Sequence, residues 1–332
     1  MFKYYIIYTA IVAASFTTSL LSLLQISKIR NSKLLAPDAH KPYHVLVPKI
    51  GGLSVVIAAV VSLILLKIFE VSNVDIYILL ASVITMGLIG LVDDIVGLRP
   101  AVRILSSAAL AIIVVIFGEL SHEIYPLGLI HSTVIVTILA ILSIVILTNA
   151  VNMLDIMNGI VSGSSLMMTV TLCIICALEH KTAASLAYMI MAAACVPLYL
   201  YNKYPARVFN GNVGSYALGA FFGVAAACFG TYLETVLSGL PYILNGMFIL
   251  FSTRGRVFFG GRERAKRPIF CISGRLVPNL DADAPLTLAR LAVLAGCRDE
   301  KCVVNSVLKM FILCGTLTVI TFLIMKAAGL IP

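Results

Sequence analysis

Ten apolar stretches divide the chain, at roughly 4–25, 50–69, 74–91, 103–118, 130–148, 159–178, 184–200, 214–230, 237–252 and 306–330. A helix of about 20 apolar residues crosses about 30 Å of hydrocarbon. Most of the 332 residues are therefore committed to such segments. Only 12% of residues are charged, against about 25% in soluble domains. Fifteen acids and 24 bases cannot coat a water-facing surface for a chain that is 61% apolar. A soluble enzyme, a disordered chain and a repeat solenoid are excluded. The runs are continuous rather than alternating, which predicts helices and not a β-barrel. The expected fold class is an all-α polytopic membrane protein with about ten transmembrane helices, forming a single integral domain over 1–332. Several short spans contain glycine, which predicts close helix packing. The first run has only Lys3 before it and no small-residue cleavage site, so it reads as a retained helix rather than a signal peptide.

Charge orients these spans. With Arg103 included, the connections 26–49, 92–102, 149–158, 201–213 and 253–305 hold 19 of the 24 Lys and Arg residues. Bases collect on the cytoplasmic side. These loops are expected there, with both termini outside. The membrane would be the plasma membrane of a prokaryote or the endoplasmic reticulum of a eukaryote. Segment 253–305 is the one sizeable polar piece. It opens with Arg254, Arg256, Arg262, Arg264, Lys266 and Arg267. A strand is expected from Pro268, a turn at Ser273-Gly274, and a short helix over 285–295. The segment is too short to bury a large core alone, and reads as a small α/β appendage. The eight cysteines do not form a disulfide framework. Cys173, Cys176, Cys195, Cys228 and Cys314 lie in apolar runs as small hydrophobes. The spacing of Cys271, Cys297 and Cys302 fits no metal site.

Ionisable and amide residues at helix ends are the place to look for function in such a chain, and they cluster on the basic side. In VDDIVGLRPAVR, Asp93 and Asp94 end an apolar run, followed by Arg99 and Arg103. Adjacent carboxylates repel unless a cation or bases compensate, and a hard divalent ion is commonly held by one or two carboxylates with substrate phosphate. In NAVNMLDIMNG, Asn149, Asn152, Asp155 and Asn158 recur every third residue. If helical, they form an oxygen-rich stripe suited to a hard cation or a nucleotide base. In YPARVFNGNVGS, Gly211 and Gly214 permit close backbone approach and Ser215 is placed to cap the next helix. A helix start suits phosphate, and the arginines of 254–267 bind phosphate as forks.

These three motifs resemble the central motifs of the polyprenyl-phosphate N-acetylhexosamine-1-phosphate transferases, and KPYHVLVPKIGG at 41–52 resembles that family's first cytoplasmic loop. The resemblance runs from about residue 38 to 252. The YPxRVF stretch and the absence of adjacent histidines bring it closer to the dolichyl-phosphate GlcNAc-1-phosphotransferases of eukaryotes and archaea than to the bacterial branch. It implies transfer of GlcNAc-1-phosphate from UDP-GlcNAc to a polyprenyl or dolichyl phosphate, with release of UMP. The implied cofactor is Mg²⁺, with Mn²⁺ as an alternative. By match, Asn152 and Asn212 are metal ligands, and Asp93 and Asp94 are the catalytic acid pair. Arg103 faces the lipid phosphate, Asp155 matches an acid of the bacterial branch, and Asn158 and Phe209 fall where the uracil is held. Lys41, Arg262, Arg264 and Arg267 are candidates for substrate binding. Asn212 stands where most members have Asp, and a neutral amide oxygen binds Mg²⁺ less strongly. The partners implied are the nucleotide-sugar, the lipid phosphate and the bilayer, with no nucleic acid; a homodimer is compatible. Another UDP-N-acetylhexosamine is the nearest alternative substrate. A secondary transporter would place its charges near the bilayer midplane, whereas here they sit at helix ends.

Overall fold

A computed structural model describes residues 2–38, 45–71, 73–124, 128–255 and 266–331. The helices in chain order are α1 (Phe2–Ile26), α2 (Leu53–Ile68), α3 (Val74–Val96), α4 (Pro100–Phe117), α5 (Thr133–Leu154), α6 (Ile160–Leu178), α7 (Thr182–Asn202), α8 (Gly211–Phe229), α9 (Tyr232–Ser238), α10 (Leu240–Ser252), α11 (Leu288–Leu294) and α12 (Glu300–Ala327). Among the described residues, eight of these are long and apolar enough to cross a membrane. This is the all-α polytopic architecture expected from the apolar runs.

Two of the ten expected spans depart from a straight crossing. The run at 50–69 yields only the 16 residues of α2, because Gly51 and Gly52 are drawn into backbone hydrogen bonds with Phe209 and Asn210. The run at 237–252 belongs to a pair, α9 and α10, bent by 70°. Gly239 sits at the break and Pro241 opens α10. Proline fits the first turn of a helix and disrupts its interior, so a new helix starts here rather than the old one continuing.

Helix α8 is the axis of the bundle. Every residue from Val213 to Phe229 is buried, and the helix packs along α3 on one side and α5 on the other. Its composition of Gly, Ala and Ser allows this, because membrane helices associate through close backbone packing. The tightest approach lies at the N-terminal end of α8. A Cβ on Gly90 of α3 would stand 2.7 Å from the Cα of Val213. Only glycine lets the end of α3 reach the start of α8.

Three antiparallel hairpins complete the fold. Strands β1 (Leu35–Pro37) and β2 (Leu46–Pro48) pair with Ala36 opposite Val47. Strands β3 (Glu123–Ile124) and β4 (Gly128–Leu129) pair at the other end of the bundle. The strand expected from Pro268 is β5 (Ile269–Ile272), and it pairs with β6 (Arg275–Pro278). Ser273 and Gly274 turn the chain with φ of 49° and 76°, the backbone that a two-residue hairpin favours. The short helix expected over 285–295 is α11, capped by Thr287 Oγ1, which accepts from the Arg290 N–H at 3.0 Å. Two side chains of α10 hold this segment. Ser252 Oγ accepts from the Leu286 N–H, and Asn245 Oδ1 accepts from the Leu288 N–H. Asn245 Nδ2 also donates to the Met153 carbonyl in the last turn of α5. One buried amide thus joins α5, α10 and the appendage. Cys297 and Cys302 form a disulfide there. The turn between α11 and α12 brings their Cα atoms to 5.5 Å, within ordinary disulfide geometry, which irregular spacing in the sequence does not reveal.

Candidate active site

Asp93 and Asp94 close α3, and successive helical residues point about 100° apart. Asp93 is 1% exposed. Its Oδ1 accepts from the Leu98 N–H at 2.7 Å and from Arg103 Nη2 at 3.0 Å. Its Oδ2 accepts from the Tyr216 hydroxyl at 3.2 Å and lies 3.0 Å from Arg103 Nε. The guanidinium therefore forks onto Asp93, the bidentate geometry that suits arginine and carboxylate. Asp94 turns instead to the start of α8. Its two oxygens accept from the Asn212 and Val213 N–H groups at 3.1 and 3.0 Å. The first N–H groups of a helix lack intrahelical partners and favour negative charge. Asp94 thus caps α8 from another helix. Ser215, expected as the cap, is inside α8, and its Oγ accepts from Asn152 Nδ2 at 2.8 Å.

The stripe expected in NAVNMLDIMNG divides at the end of α5, because the helix stops at Leu154. Asn149 donates to Ser107 Oγ and to the Val145 carbonyl, away from the other members. Asn152 Nδ2 donates to Asn212 Oδ1 at 2.8 Å, so the two residues matched as metal ligands are brought together. Asp155 follows the helix and accepts from Asn210 Nδ2 at 2.9 Å. Burial pushes its carboxyl up to about 7; the Asn210 hydrogen bond opposes this and the nearby Asp94 charge adds to it. Asn158 lies beyond in the turn to α6. Its Nδ2 donates to Asp38 Oδ2 at 3.0 Å, and its backbone N–H donates to Glu300 Oε1 at 2.9 Å. Gly159 has φ 86°, and its N–H donates to Asn202 Oδ1.

A cavity of about 330 Å³ opens among these groups. Asp94, Asp155, Asn158, Phe209 and Asn212 line it, together with Asp38, Lys49 and Asn210. Lys49 is the one cation among the described residues lining it. Its backbone N–H is tied to the Leu34 carbonyl, and its ammonium donates to the Asp94 carbonyl. Arg103 and Asn152 stand behind this lining rather than in it. Arg267 is exposed and does not line the cavity. Neighbouring Lys266 pairs with Asp281. Lys41, Arg262 and Arg264 lie outside the described residues. Sequence reasoning passed over Asp38, Lys49, Asn202, Asn210 and Glu300. Lys49 and Asn210 stood inside quoted motifs and carried that signal. Asp38, Asn202 and Glu300 carried none.

Oxygen donors dominate the site. Among the described residues no group of three or more His, Cys, Asp or Glu is placed to hold a metal. Two carboxylates, Asp94 and Asp155, stand with the amides of Asn152 and Asn212 instead. Hard cations take such oxygens, whereas softer metals prefer nitrogen and sulfur. The donor set fits Mg²⁺ or Mn²⁺.

Acids and amides gathered around one cavity at the end of a helical bundle that reads as membrane-spanning have the makings of an active site in a polytopic membrane enzyme. Residues 76–230 match glycosyl transferase family 4. A Methanocaldococcus jannaschii protein named as a glycosyltransferase is 30% identical over 239 residues, 72% of this chain and 73% of that protein. A Saccharolobus solfataricus protein named as a UDP-N-acetylglucosamine–dolichyl-phosphate N-acetylglucosaminephosphotransferase is 29% identical over 266 residues, 77% of this chain and 82% of that one. The phospho-N-acetylmuramoyl-pentapeptide-transferase of Lactobacillus acidophilus is 28% identical over 232 residues, 64% of this chain and 72% of its own. The chain belongs to glycosyl transferase family 4, among the polyprenyl-phosphate N-acetylhexosamine-1-phosphate transferases, and is a glycosyl-1-phosphotransferase.

Proposed function

We propose that the chain transfers GlcNAc-1-phosphate from UDP-GlcNAc to a dolichyl-type polyprenyl phosphate, on the cytoplasmic face of its membrane, and releases UMP. The observation that carries this reading is the convergence of Asp94, Asp155, Asn212, Lys49 and Phe209 on one cavity at the end of the bundle. The Saccharolobus relative's name and the absence of adjacent histidines favour GlcNAc and a dolichyl-type acceptor.

In the reaction, a phosphate oxygen of the lipid attacks the β-phosphorus of the nucleotide-sugar. The bond from that phosphorus to the bridging oxygen breaks, and the electron pair leaves with UMP. The residues of this chain supply position and charge. Lys49 offers its remaining N–H groups to the diphosphate. Asp94 fixes the start of α8, and so places Asn212. Phe209 gives the uracil a flat apolar wall, and Asn158 a polar edge. Asn212, with Asp94 and Asp155 in the same lining and Asn152 braced against it from behind, would hold Mg²⁺, which when bound offsets diphosphate charge as a Lewis acid. Purified protein is expected to release UMP only when UDP-GlcNAc, polyprenyl phosphate and Mg²⁺ are all present, each being left out in turn. UDP-GalNAc and UDP-MurNAc-pentapeptide serve as competing donors. A higher kcat/KM with either would reassign the sugar while keeping the reaction. Loss of dependence on the lipid phosphate would sink the reading altogether.

A further inference from the structure

Asn158 is held more completely than a turn requires. Three elements distant in sequence converge on it and its neighbour. Asp38, just after β1, accepts from its side-chain Nδ2 at 3.0 Å. Glu300, at the start of α12, accepts from its backbone N–H at 2.9 Å. Asn202, at the end of α7, accepts from the Gly159 N–H at 3.0 Å. Asp38, Glu300 and Asn202 are at most 5% exposed. Asp38 is itself fixed by its backbone N–H donating to the Val45 carbonyl.

The chemistry of the pair settles which way the amide faces. A carboxylate accepts hydrogen bonds and gives none. The Nδ2 of Asn158 must therefore face Asp38, and Oδ1 must face the other way. The orientation of an asparagine amide is ordinarily ambiguous and is decided by its partners; here an acid decides it. Asn158 lines the cavity. Among the described residues its Oδ1 has no hydrogen-bond donor, and it is not among the sealed-off polar atoms. With Nδ2 spent on Asp38, the amide oxygen is the hydrogen-bonding group that the Asn158 side chain has left to offer, and Phe209 lines the same cavity.

We propose that Asp38 is a positioning residue that makes the site select uracil over cytosine, by locking Asn158 with its carbonyl oxygen toward the base. This rests on the nucleotide-sugar reading above. Uracil carries N–H at N3 and can donate to Oδ1. Cytosine carries a lone pair at N3, so the same pose sets acceptor against acceptor. A site built to pair one hydrogen bond discriminates strongly against the analogue that lacks it, because its own polar group is left unpaired. An unlocked amide would rotate and serve either base.

The test is equilibrium binding of UMP and CMP to the full-length protein in detergent, by calorimetry, alongside kcat/KM for UDP-GlcNAc and CDP-GlcNAc. The wild type should prefer the uridine ligands. Asp38→Asn nearly preserves size and can donate as well as accept, so the Asn158 amide is free to turn. The uridine-to-cytidine ratio should then fall by roughly 5- to 150-fold, the range for one lost or mispaired buried hydrogen bond. Asp38→Glu should restore part of it. Asn158→Ala, which leaves Asp38 in place, should lower the ratio to a similar level and covers the case in which Asp38→Asn does not fold. A role confined to holding the turn would weaken both nucleotides equally. An unchanged ratio in Asp38→Asn, or in Asn158→Ala where the former is unfolded, would overturn the proposal alone. A wild type with no uridine preference would overturn the nucleotide reading, and this proposal with it.

Discussion

Two acids side by side on a helix point about 100° apart, and at the end of α3 this sends them to different partners. Asp93 faces the Arg103 guanidinium and the Tyr216 hydroxyl inside the bundle. Asp94 faces the start of α8 and the cavity. Breaking a buried ion pair by removing one member commonly costs about 3–5 kcal/mol, because a charge stays buried without it. Arg103→Ala is therefore expected to lower thermal stability in detergent by that order, and Arg103→Lys, lacking the fork, to recover only part. Should Arg103→Ala melt like the wild type while raising only the KM for polyprenyl phosphate, the guanidinium would serve the lipid, as the family resemblance implies. Asn212 offers the complementary case. A carboxylate there would add charge to a cavity already lined by Asp38, Asp94 and Asp155. Like charges without a cation destabilise, and a bound cation relieves them. Asn212→Asp should thus melt earlier without Mg²⁺ and show a larger rise in Tm on Mg²⁺ addition than the wild type. An equal rise in both would remove residue 212 from the metal site.

At the scale of helices, the site exists because α3, α5 and α8 meet closely at one end. Gly90 is where that closeness is most exposed to test. A Cβ there would stand 2.7 Å from Val213 Cα and 2.6 Å from the Asn212 carbonyl carbon, and backbone cannot yield as a flexible side chain can. Gly90→Ala is expected to destabilise by about 1–3 kcal/mol through overpacking. It should lower kcat more than this stability loss explains, because the displaced residue is Asn212. Normal kcat in a folded Gly90→Ala protein would show that the α3–α8 approach does not set the site. The helices themselves were legible as apolar runs, and the acids and amides as polar interruptions at their ends. The bend between α9 and α10 was not read, although Gly239 and Pro241 stood in the sequence. The break of the asparagine stripe after Leu154 was not legible either, since periodicity continues through the turn without regard to where hydrogen bonding stops. Least legible were the groups around Asn158. Asp38 and Glu300 lie 120 and 142 residues away, and an acid just after a strand or at a helix start carries no periodic signal of a partner so distant.

For the molecule in its membrane, the question is which end faces the cytoplasm, where nucleotide-sugars are made. The cavity lies where α3 and α5 end and α8 begins. Lys326, near the end of α12, donates to the Leu178 carbonyl at the far end of α6. Since α6 starts beside the cavity at Gly159, α12 finishes at the opposite end of the bundle. α1 likewise runs from that end toward the β1–β2 hairpin, so the two termini share a side, away from the cavity. Fifteen of the 24 bases are described residues of the connections on the cavity side, and an excess of Lys and Arg in short loops marks the cytoplasmic face. Single cysteines placed at Leu98, Lys203 and Gly274 in a cysteine-free background should therefore be shielded from a membrane-impermeant thiol reagent in intact cells. Cysteines at Phe2, His131 and Gly329 should react. A shielded terminus with a reactive residue at position 274 would invert the protein and remove its cavity from cytoplasmic nucleotide-sugar. A reactive position 274 with positions 98 and 203 still shielded would mean that α9 and α10 do not together cross the bilayer. In that case the appendage could not hang from Asn245 and Ser252 beside the end of α5, and the two halves of the site would lie on opposite faces of the membrane.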